Sequence, residues 1–306
     1  MSHIHDALAR LRDDRDRGAA ELADDALRLL AEAAAQAATR GADPAAAARG
    51  LVRRIAELRP SMAPLANWAA AYATELGPTL DGADDPDAMA RACRALGDRL
   101  RVRKRGFADA IVEAARPVLA EAREIVTLSR SSTVEAVLAR ASVPKARVTV
   151  CESRPRLEGR RLCAALEAAG RRVRCITDAQ MTVALAEADV AVIGADAILR
   201  DRAVVNKVGS LALALSAAHL CKPLHVVADS FKIDPAHDRD DAVFETMDGG
   251  EVWPERPEIC ANVYFEAVPA DLVALYLAET GARRGAEIDA AVKMIANLRV
   301  SAGLVT

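Results

Sequence analysis

The second half of the chain alternates short β-branched runs with longer stretches of helical composition. Six such runs follow Leu119, namely Glu124–Leu128, Arg147–Cys151, Arg172–Ile176, Val190–Ile193, Leu224–Ala228 and Val263–Phe265. The stretches that favour helices are Ser132–Ala141, Leu157–Ala169, Ala179–Glu187 and Lys207–Cys221. Runs that are apolar on both faces and alternate with helices indicate a parallel sheet covered by helices. We therefore predict an α/β fold, in which ligands bind at the carboxyl ends of the strands.

The first third of the chain has a different periodicity. Apolar residues such as Ile4, Leu8 and Leu11 recur every three or four positions, which is typical of amphipathic helices. Helix-breaking residues punctuate this part of the chain, namely Gly41, Pro60, Gly77, Pro78 and Gly82. No strand-like run is present there. The pattern predicts a helical N-terminal domain at 1–119 and a parallel-sheet domain at 120–306.

Composition argues against several classes of protein. The net charge is −3, so no global field attracts nucleic acid, and direct nucleic-acid binding is not expected. The basic run Arg99–Arg105 favours a solvated face, or arginine stems packed on helices, over a polyanion site. The six cysteines form no CxxC pair and no zinc-like spacing. No signal peptide or membrane-spanning run is visible, so we expect no membrane contact and a cytoplasmic location.

The end of the first predicted strand is rich in hydroxyl residues. Ser132 and Glu135 have the spacing of a capping box at the start of the next helix. The backbone N–H groups of Ser131–Thr133 would also favour an anion at that helix terminus, and Arg130 adds positive charge. Helix capping alone and an anion site both account for these residues.

The end of the second predicted strand carries two arginines beside glutamates. Arg154 could hold a phosphate through two hydrogen bonds, or it could form an ion pair with Glu152 or Glu158. Cys151, which ends the strand itself, is expected to point into the core.

The fourth strand is followed by a lone aspartate. Asp196 comes after Gly194 at the edge of the sheet, where a partly dehydrated carboxylate suits proton transfer, although a turn aspartate is the simpler reading. Asn206 and Lys207 then begin a predicted apolar helix, at whose N-terminus Lys207 would neutralise a phosphate. Neither GxGxxG nor GxxxxGK is present, so a dinucleotide or nucleoside triphosphate site has no support.

Five ordered segments together resemble one known superfamily. They are ESRPRLEGRRL, VIGADAIL, VVNKVGSLALAL, PLHVVADSFK and ANVYFEAVPADLVALYLAETG. The chain is similar to methylthioribose-1-phosphate isomerase, ribose-1,5-bisphosphate isomerase and the alpha, beta and delta subunits of initiation factor 2B. The similarity covers about Thr127–Gly281, with weaker support from Arg59–Asn67.

The resemblance implies a helical N-terminal domain followed by a Rossmann-like parallel-sheet C-terminal domain, through which members form dimers or higher oligomers. It places Asp196 at the catalytic aspartate of the isomerases, and Asn206 and Lys207 where sugar hydroxyls and phosphate bind. Ser129 stands where the isomerases have a cysteine, and Glu158 where they have a glutamine. It implies no metal and no organic cofactor.

The resulting hypothesis is an aldose–ketose isomerase of a ribose-1-phosphate-type substrate, with Asp196 and Ser129 as catalytic residues. The substrate-binding residues would be Arg130, Ser131, Ser132, Thr133, Arg154, Glu158, Asn206 and Lys207. The alternative is a non-catalytic regulatory subunit, related to initiation factor 2B, that binds a sugar phosphate or nucleoside monophosphate. CoA transfer through Glu152 is a third alternative. A homodimer or higher homo-oligomer is expected in each case.

Three further side chains and one loop have interpretations that the structure can test. His225, within a strand, is expected to be a core histidine, and Trp68 and Trp253 are expected to anchor packing. The loop Asp234–Pro257 would be either a lid over the pocket or a surface excursion.

Overall fold

The computed structural model describes residues 2–14, 17–59 and 62–304. The chain forms two compact units. The first comprises Met1–Gly106, Phe231–Ala236 and Ala290–Thr306, and the second Phe107–Ser230 and His237–Asp289. The predicted boundary near 119 marks where the helical sequence pattern ends. The compact units depend instead on which segments pack together. One continuous helix, α5, runs from Pro86 to Val118 across the division at 106.

The first unit is built mainly from helices. They are α1 (Ser2–Asp13), α2 (Ala19–Thr39), α3 (Pro44–Leu58), α4 (Ala63–Leu80) and the N-terminal part of α5. Alanine is the best helix former and allows close packing, so α2 buries one whole face against α3 and α4. At the start of α3, the Asp43 side chain accepts a hydrogen bond from Ala45 N, and Pro44 occupies the first helical position.

The helix breaks were predicted only in part. Gly41 and Gly82 adopt positive φ values of 70° and 82° just after α2 and α4, as helix-terminating glycines do. Gly77 and Pro78, in contrast, lie inside α4, which ends at Leu80. This part of the prediction was wrong because a proline near a helix end removes few hydrogen bonds. Pro60 lies outside the described residues.

The basic run at the centre of α5 is neutralised by acids of the same unit. Arg103 forms an ion pair with Glu75, and Lys104 with Asp24, at 2.8 Å each. The Arg103 guanidinium also lies 5.4 Å from the centroid of the Trp68 ring. Arg99, Arg103 and Arg105 are exposed, so the run is mainly a solvated face, one of the two alternatives that the sequence favoured.

The second unit contains a seven-stranded sheet in the order β11-β10-β7-β4-β1-β2-β3. Its strands are β1 (Glu124–Leu128), β2 (Arg147–Cys151), β3 (Arg172–Ile176), β4 (Val190–Gly194), β7 (Leu224–Val227), β10 (Leu275–Ala278) and β11 (Gly281–Arg283). All neighbouring pairs are parallel except β10 with β11. Leu128 pairs with Cys151, and Gly194 with Val227, so these strands end at one edge of the sheet. The predicted α/β fold is confirmed.

Helices cover both faces of this sheet. On one face, α6 (Ser132–Arg140), α7 (Glu158–Ala168) and the end of α5 enclose an aliphatic core that includes Val112, Leu138 and Leu166. α8 (Met181–Glu187) and α9 (Ser210–His219) pack on the opposite face. The last helix, α10, runs from Gly285 to Ser301. No helix within the described ranges is long and apolar enough to cross a membrane.

A second, smaller sheet was not predicted. β5 (Ala197–Leu199) and β6 (Val204–Lys207) form an antiparallel hairpin, and β9 (Phe265–Val268) pairs antiparallel with β6. The short strand β8 spans Ile233–Asp234 and belongs to the first unit. Asn206 and Lys207 were expected to begin a helix, but they end β6, and α9 begins only at Ser210. The strand expected at 263–265 lies at 265–268 instead.

Candidate functional site

The end of β1 has the conformation expected of a ligand-binding turn. Ser129 is buried and adopts a left-handed φ of 58°, which is strained for a residue other than glycine. The cap of α6 is Ser131 rather than the predicted Ser132, since Ser131 Oγ accepts from Val134 N at 3.4 Å. Among the described residues, no acceptor takes the N–H groups of Ser132 and Thr133. This helix terminus can therefore bind an anion.

The end of β4 lies against the start of α6. A Cβ atom at Gly194 would lie 2.9 Å from both Cβ and Oγ of Ser131, so only glycine permits this approach. Asp196, two residues further along, is half-buried, and its N–H donates to Val205 O at 2.8 Å. The predicted catalytic aspartate thus lies where β4 meets the β5–β6 hairpin.

Lys207 is paired with a glutamate. Its Nζ atom lies 3.0 Å from Glu158 Oε1, and the side chains are 7% and 22% exposed. The same ammonium lies 4.2 Å from the centroid of the Tyr264 ring, a cation–π contact. The amide of Asn206 donates to Ser210 Oγ at 2.9 Å, and this hydroxyl donates to Lys207 O at 2.6 Å. Both predicted binding residues are therefore held in fixed positions.

The N-terminus of α9 is filled by a carboxylate of the protein itself. Glu266 Oε1 accepts hydrogen bonds from Gly209 N at 2.7 Å and from Leu211 N at 2.8 Å. The expectation that a phosphate binds at this helix terminus is wrong, because Glu266 already supplies the negative charge there. Sequence reasoning missed Glu266, which lies in a strand more than fifty positions away from its partners.

Arg154 pairs with neither glutamate proposed for it. Glu152 forms its ion pair with Arg160 at 2.6 Å, and Glu158 is taken by Lys207. The Arg154 guanidinium is exposed and donates to Val252 O at 3.1 Å.

The loop after β2 is fixed by a residue that the sequence reasoning did not single out. The Asp178 carboxylate accepts from Ser153 N at 2.8 Å and from Arg154 N at 2.7 Å. Ser153, like Ser129, has a left-handed φ, here 60°. Asp178 follows β3, so its position at the end of a strand was the available signal.

The segment predicted to be either a lid or a surface excursion contacts this loop. Glu251 lies 3.6 Å from Arg156, and its carboxylate accepts hydrogen bonds from Asn262 and from the Tyr264 hydroxyl. Burial, and secondarily the bond to Glu251, raises the pKa of Tyr264 to about 12. The ring beneath Lys207 therefore stays neutral at physiological pH.

The buried cysteine and histidine match their predictions. Cys151 is fully buried, and burial raises its pKa to about 12, so this thiol cannot replace the family cysteine as an acid–base group. His225 is buried, and burial lowers its pKa, which favours a neutral core histidine. Trp68 is buried as predicted, whereas the prediction for Trp253 was wrong, because 47% of it is exposed.

Several contacts join the ends of three adjacent strands. Gly194 touches Ser131, Lys207 binds Glu158, and a Cβ atom at Gly209 would lie 3.1 Å from Leu128 Cδ1. Polar groups thus gather at the carboxyl edge of the sheet. Within the described ranges, no group of three or more His, Cys, Asp or Glu side chains could hold a metal ion.

The fold and this edge define an α/β protein of the open parallel-sheet class, which binds ligands where strands end. The chain belongs to the Initiation factor 2 subunit family, whose model matches residues 15–284. A putative translation initiation factor eIF-2B subunit 2-like protein of Pyrococcus horikoshii is 38% identical over 151 residues, 48% of this chain and 51% of that protein. Ribose 1,5-bisphosphate isomerase of Archaeoglobus fulgidus is 33% identical over 167 residues, 52% of this chain and 53% of that protein.

Solved structures of the family share the fold. The Pyrococcus horikoshii translation initiation factor eIF-2B superposes with a TM-score of 0.74 at 25% identity, covering 92% of this chain and 97% of that one. The tetrameric eIF2B-beta2-delta2 complex from C. thermophilum superposes with a TM-score of 0.74 at 17% identity, covering 96% of this chain and 94% of that one. The chain spans about half the length of the curated relatives it matches. One of these relatives is described as an isomerase and another as an initiation factor subunit.

Proposed function

We propose that this protein binds a ribose-1-phosphate-type sugar at the carboxyl ends of β1, β2 and β4 and interconverts its aldose and ketose forms. The observation that carries the proposal is the position of Asp196, which leaves β4 beside Ser131 and the open N-terminus of α6. The N–H groups of Ser132 and Thr133 would hold the phosphate, and Arg154 would add positive charge. Arg130 lies beside this terminus and pairs with Glu135 at 3.1 Å. Asn206 would contact sugar hydroxyls.

The chemistry requires a proton to move between neighbouring carbon atoms of the opened sugar. Asp196, half-buried at the edge of the sheet, would take the proton from C2 of the opened sugar and return it to C1; a direct hydride shift between the same carbons is the alternative. The ring oxygen gains a proton when the ring opens, and the C2 hydroxyl gives one up when the ketone forms, so protons balance over the reaction. Ser129 would orient the adjacent hydroxyl. A serine hydroxyl is much less acidic than the thiol of the isomerases, so Asp196 carries most of the acid–base work.

The test is the variant Asp196→Asn, which keeps the side-chain shape and removes the base. We expect turnover of a ribose phosphate to fall by about 100-fold or more, while ligand-induced thermal stabilisation persists because the phosphate contacts remain. The exposed aspartate Asp271, changed to asparagine, serves as the control and should leave turnover intact. Equal turnover in Asp196→Asn and the parent protein would remove Asp196 from the mechanism.

A second function, favoured by Ser129 in place of the cysteine, is a non-catalytic regulatory subunit. It would bind a sugar phosphate or a nucleoside monophosphate in the same pocket and act through its partners. A thermal-shift screen with ribose phosphates and nucleoside monophosphates, followed by turnover assays, separates the two functions. Strong turnover of any ribose phosphate by the native protein excludes the regulatory function.

Oligomerisation is part of both proposals. The structural relative from C. thermophilum is described as a tetrameric complex, and on this basis we expect a homodimer or higher homo-oligomer through the C-terminal domain. The mass of the native protein in solution, measured by light scattering, decides this.

A further inference from the structure

The ion pair between Lys207 and Glu158 leaves one carboxylate oxygen unused. Glu158 Oε1 accepts from Lys207 Nζ at 3.0 Å, whereas Oε2 is buried and has no hydrogen-bond partner among the described residues. Buried acceptors are nearly always satisfied in folded proteins, so an orphaned one indicates a missing donor. A group that satisfies this oxygen must donate a hydrogen bond, as a hydroxyl or amino group does.

The surroundings of the pair do not favour a second anion. The Lys207 charge is balanced by Glu158, and the face of the neutral Tyr264 ring covers the ammonium. The nearby Arg156 faces Glu251. A phosphate placed here would meet the Glu158 carboxylate at short range, and like charges in that arrangement repel strongly.

The remaining anion position lies elsewhere at the edge of the sheet. The N-terminus of α9 is occupied by Glu266, and that of α6 keeps the N–H groups of Ser132 and Thr133. One phosphate can therefore be held at α6.

We infer that Glu158 is a specificity residue, which accepts a hydrogen bond from a hydroxyl or amino group of a monophosphorylated sugar and excludes a second phosphate. This rests on the proposed function, since it assumes a phosphorylated sugar in the same site. A glutamine at this position, as the resemblance gives for the isomerases, would be neutral and would release Lys207 to bind an anion.

The experiment compares ribose 1-phosphate with ribose 1,5-bisphosphate by isothermal titration calorimetry. We expect the native protein to bind the monophosphate more tightly. In Glu158→Gln, the affinity for the bisphosphate should rise by about tenfold, because one close like-charge contact is removed. Glu167→Gln, an exposed position on the same helix, is the matched control and should keep the native preference.

The outcomes separate this inference from the proposed function. If the native protein binds the bisphosphate as tightly as the monophosphate, Glu158 does not select between them. This measurement uses the native protein alone, so it does not depend on whether a variant folds. A folded Glu158→Gln variant that keeps the native preference for the monophosphate also overturns the inference. In both cases, binding of either sugar phosphate is still consistent with the proposed function. If the native protein binds neither sugar phosphate, the proposed function fails together with this inference.

Discussion

Gly194 lets the end of β4 approach the start of α6 more closely than any side chain would allow. Gly194→Ala places a methyl group 2.9 Å from two atoms of Ser131, the residue that caps α6. We expect overpacking to lower the free energy of unfolding by about 1–3 kcal/mol. The displaced cap should also weaken phosphate binding. Urea denaturation and thermal shift with inorganic phosphate measure the two effects.

The control is a glycine with free space around it, located in a helix. Gly50 is exposed within α3, and a Cβ atom there would meet nothing within 4 Å. Gly50→Ala should raise stability by up to about 1 kcal/mol, because alanine is the better helix former. If Gly194→Ala is as stable as the parent, the close approach has no energetic consequence.

Individual residues were predictable where their local setting decides their role. Cys151 and His225 lie in apolar strands, and both were correctly assigned to the core. Trp253 was wrong because side-chain size alone does not decide burial. The pairing of Lys207 with Glu158 could not be predicted, since the two residues are 49 positions apart and each has nearer charged neighbours.

At the scale of single elements, the capping of α9 by Glu266 is open to direct test. Glu266→Ala removes the acceptor for Gly209 N and Leu211 N and the negative charge at the helix start. We expect the free energy of unfolding to fall by about 1–2 kcal/mol. Because α9 follows Asn206 and Lys207 directly, ligand affinity should fall as well. Urea denaturation and calorimetry report these changes.

The exposed residue Glu255 provides the comparison. Glu255→Ala removes an equal charge from a position where no helix begins. It should leave the free energy of unfolding and the ligand affinity unchanged. If stability and affinity fall by similar amounts in the two variants, the effect of Glu266 comes from its contribution to the net charge and not from helix capping.

Strands of the parallel sheet were predictable because they are short β-branched runs, including β3 at the sheet edge, where Arg172 and Arg174 alternate with apolar residues. β1, β2 and β3 have the bounds that the sequence indicates. β6 was taken for the start of a helix, since an antiparallel strand in a small sheet depends on partners such as β9, about sixty residues away. The helix starts only after Gly209, whose φ of 103° turns the chain.

At the scale of the whole molecule, the first unit is assembled from segments that are far apart in sequence. The chain returns to this unit at 231–236 and again from 290. Periodicity indicates where helical composition ends, but it carries no information on such returns, because they depend on contacts between distant segments. The compact units could therefore not be predicted from the sequence alone.

A buried polar network connects these segments within the first unit. Arg299 Nη1 lies 2.8 Å from Asp234 Oδ1, and its Nε donates to Asn67 Oδ1 at 2.7 Å. The Asn67 amide donates in turn to the carbonyl oxygens of Phe231 and Ile233, at 2.7 Å each. Burial lowers the pKa of Arg299, and the Asp234 carboxylate opposes this shift. Asp234 thus supplies the charge that compensates the buried guanidinium.

Asp234→Asn tests this role, because it keeps the side-chain shape and removes the compensating charge. Breaking a buried pair by removing one partner leaves an unpaired charge, so we expect stability to fall by about 3–5 kcal/mol. The fluorescence of Trp68, which stacks on Phe231 at 3.9 Å, reports unfolding of this unit in a Trp253→Phe background.

The comparison is an exposed ion pair of the same unit. Glu32 and Arg94 are each 49% exposed, and Glu32→Gln should cost no more than about 1 kcal/mol, because solvent screens exposed charges. A large difference between the two variants would show that Asp234 stabilises the first unit by neutralising Arg299 in the interior. Equal unfolding midpoints would mean that water or a rearranged side chain replaces Asp234, and that the three segments are joined by apolar packing alone.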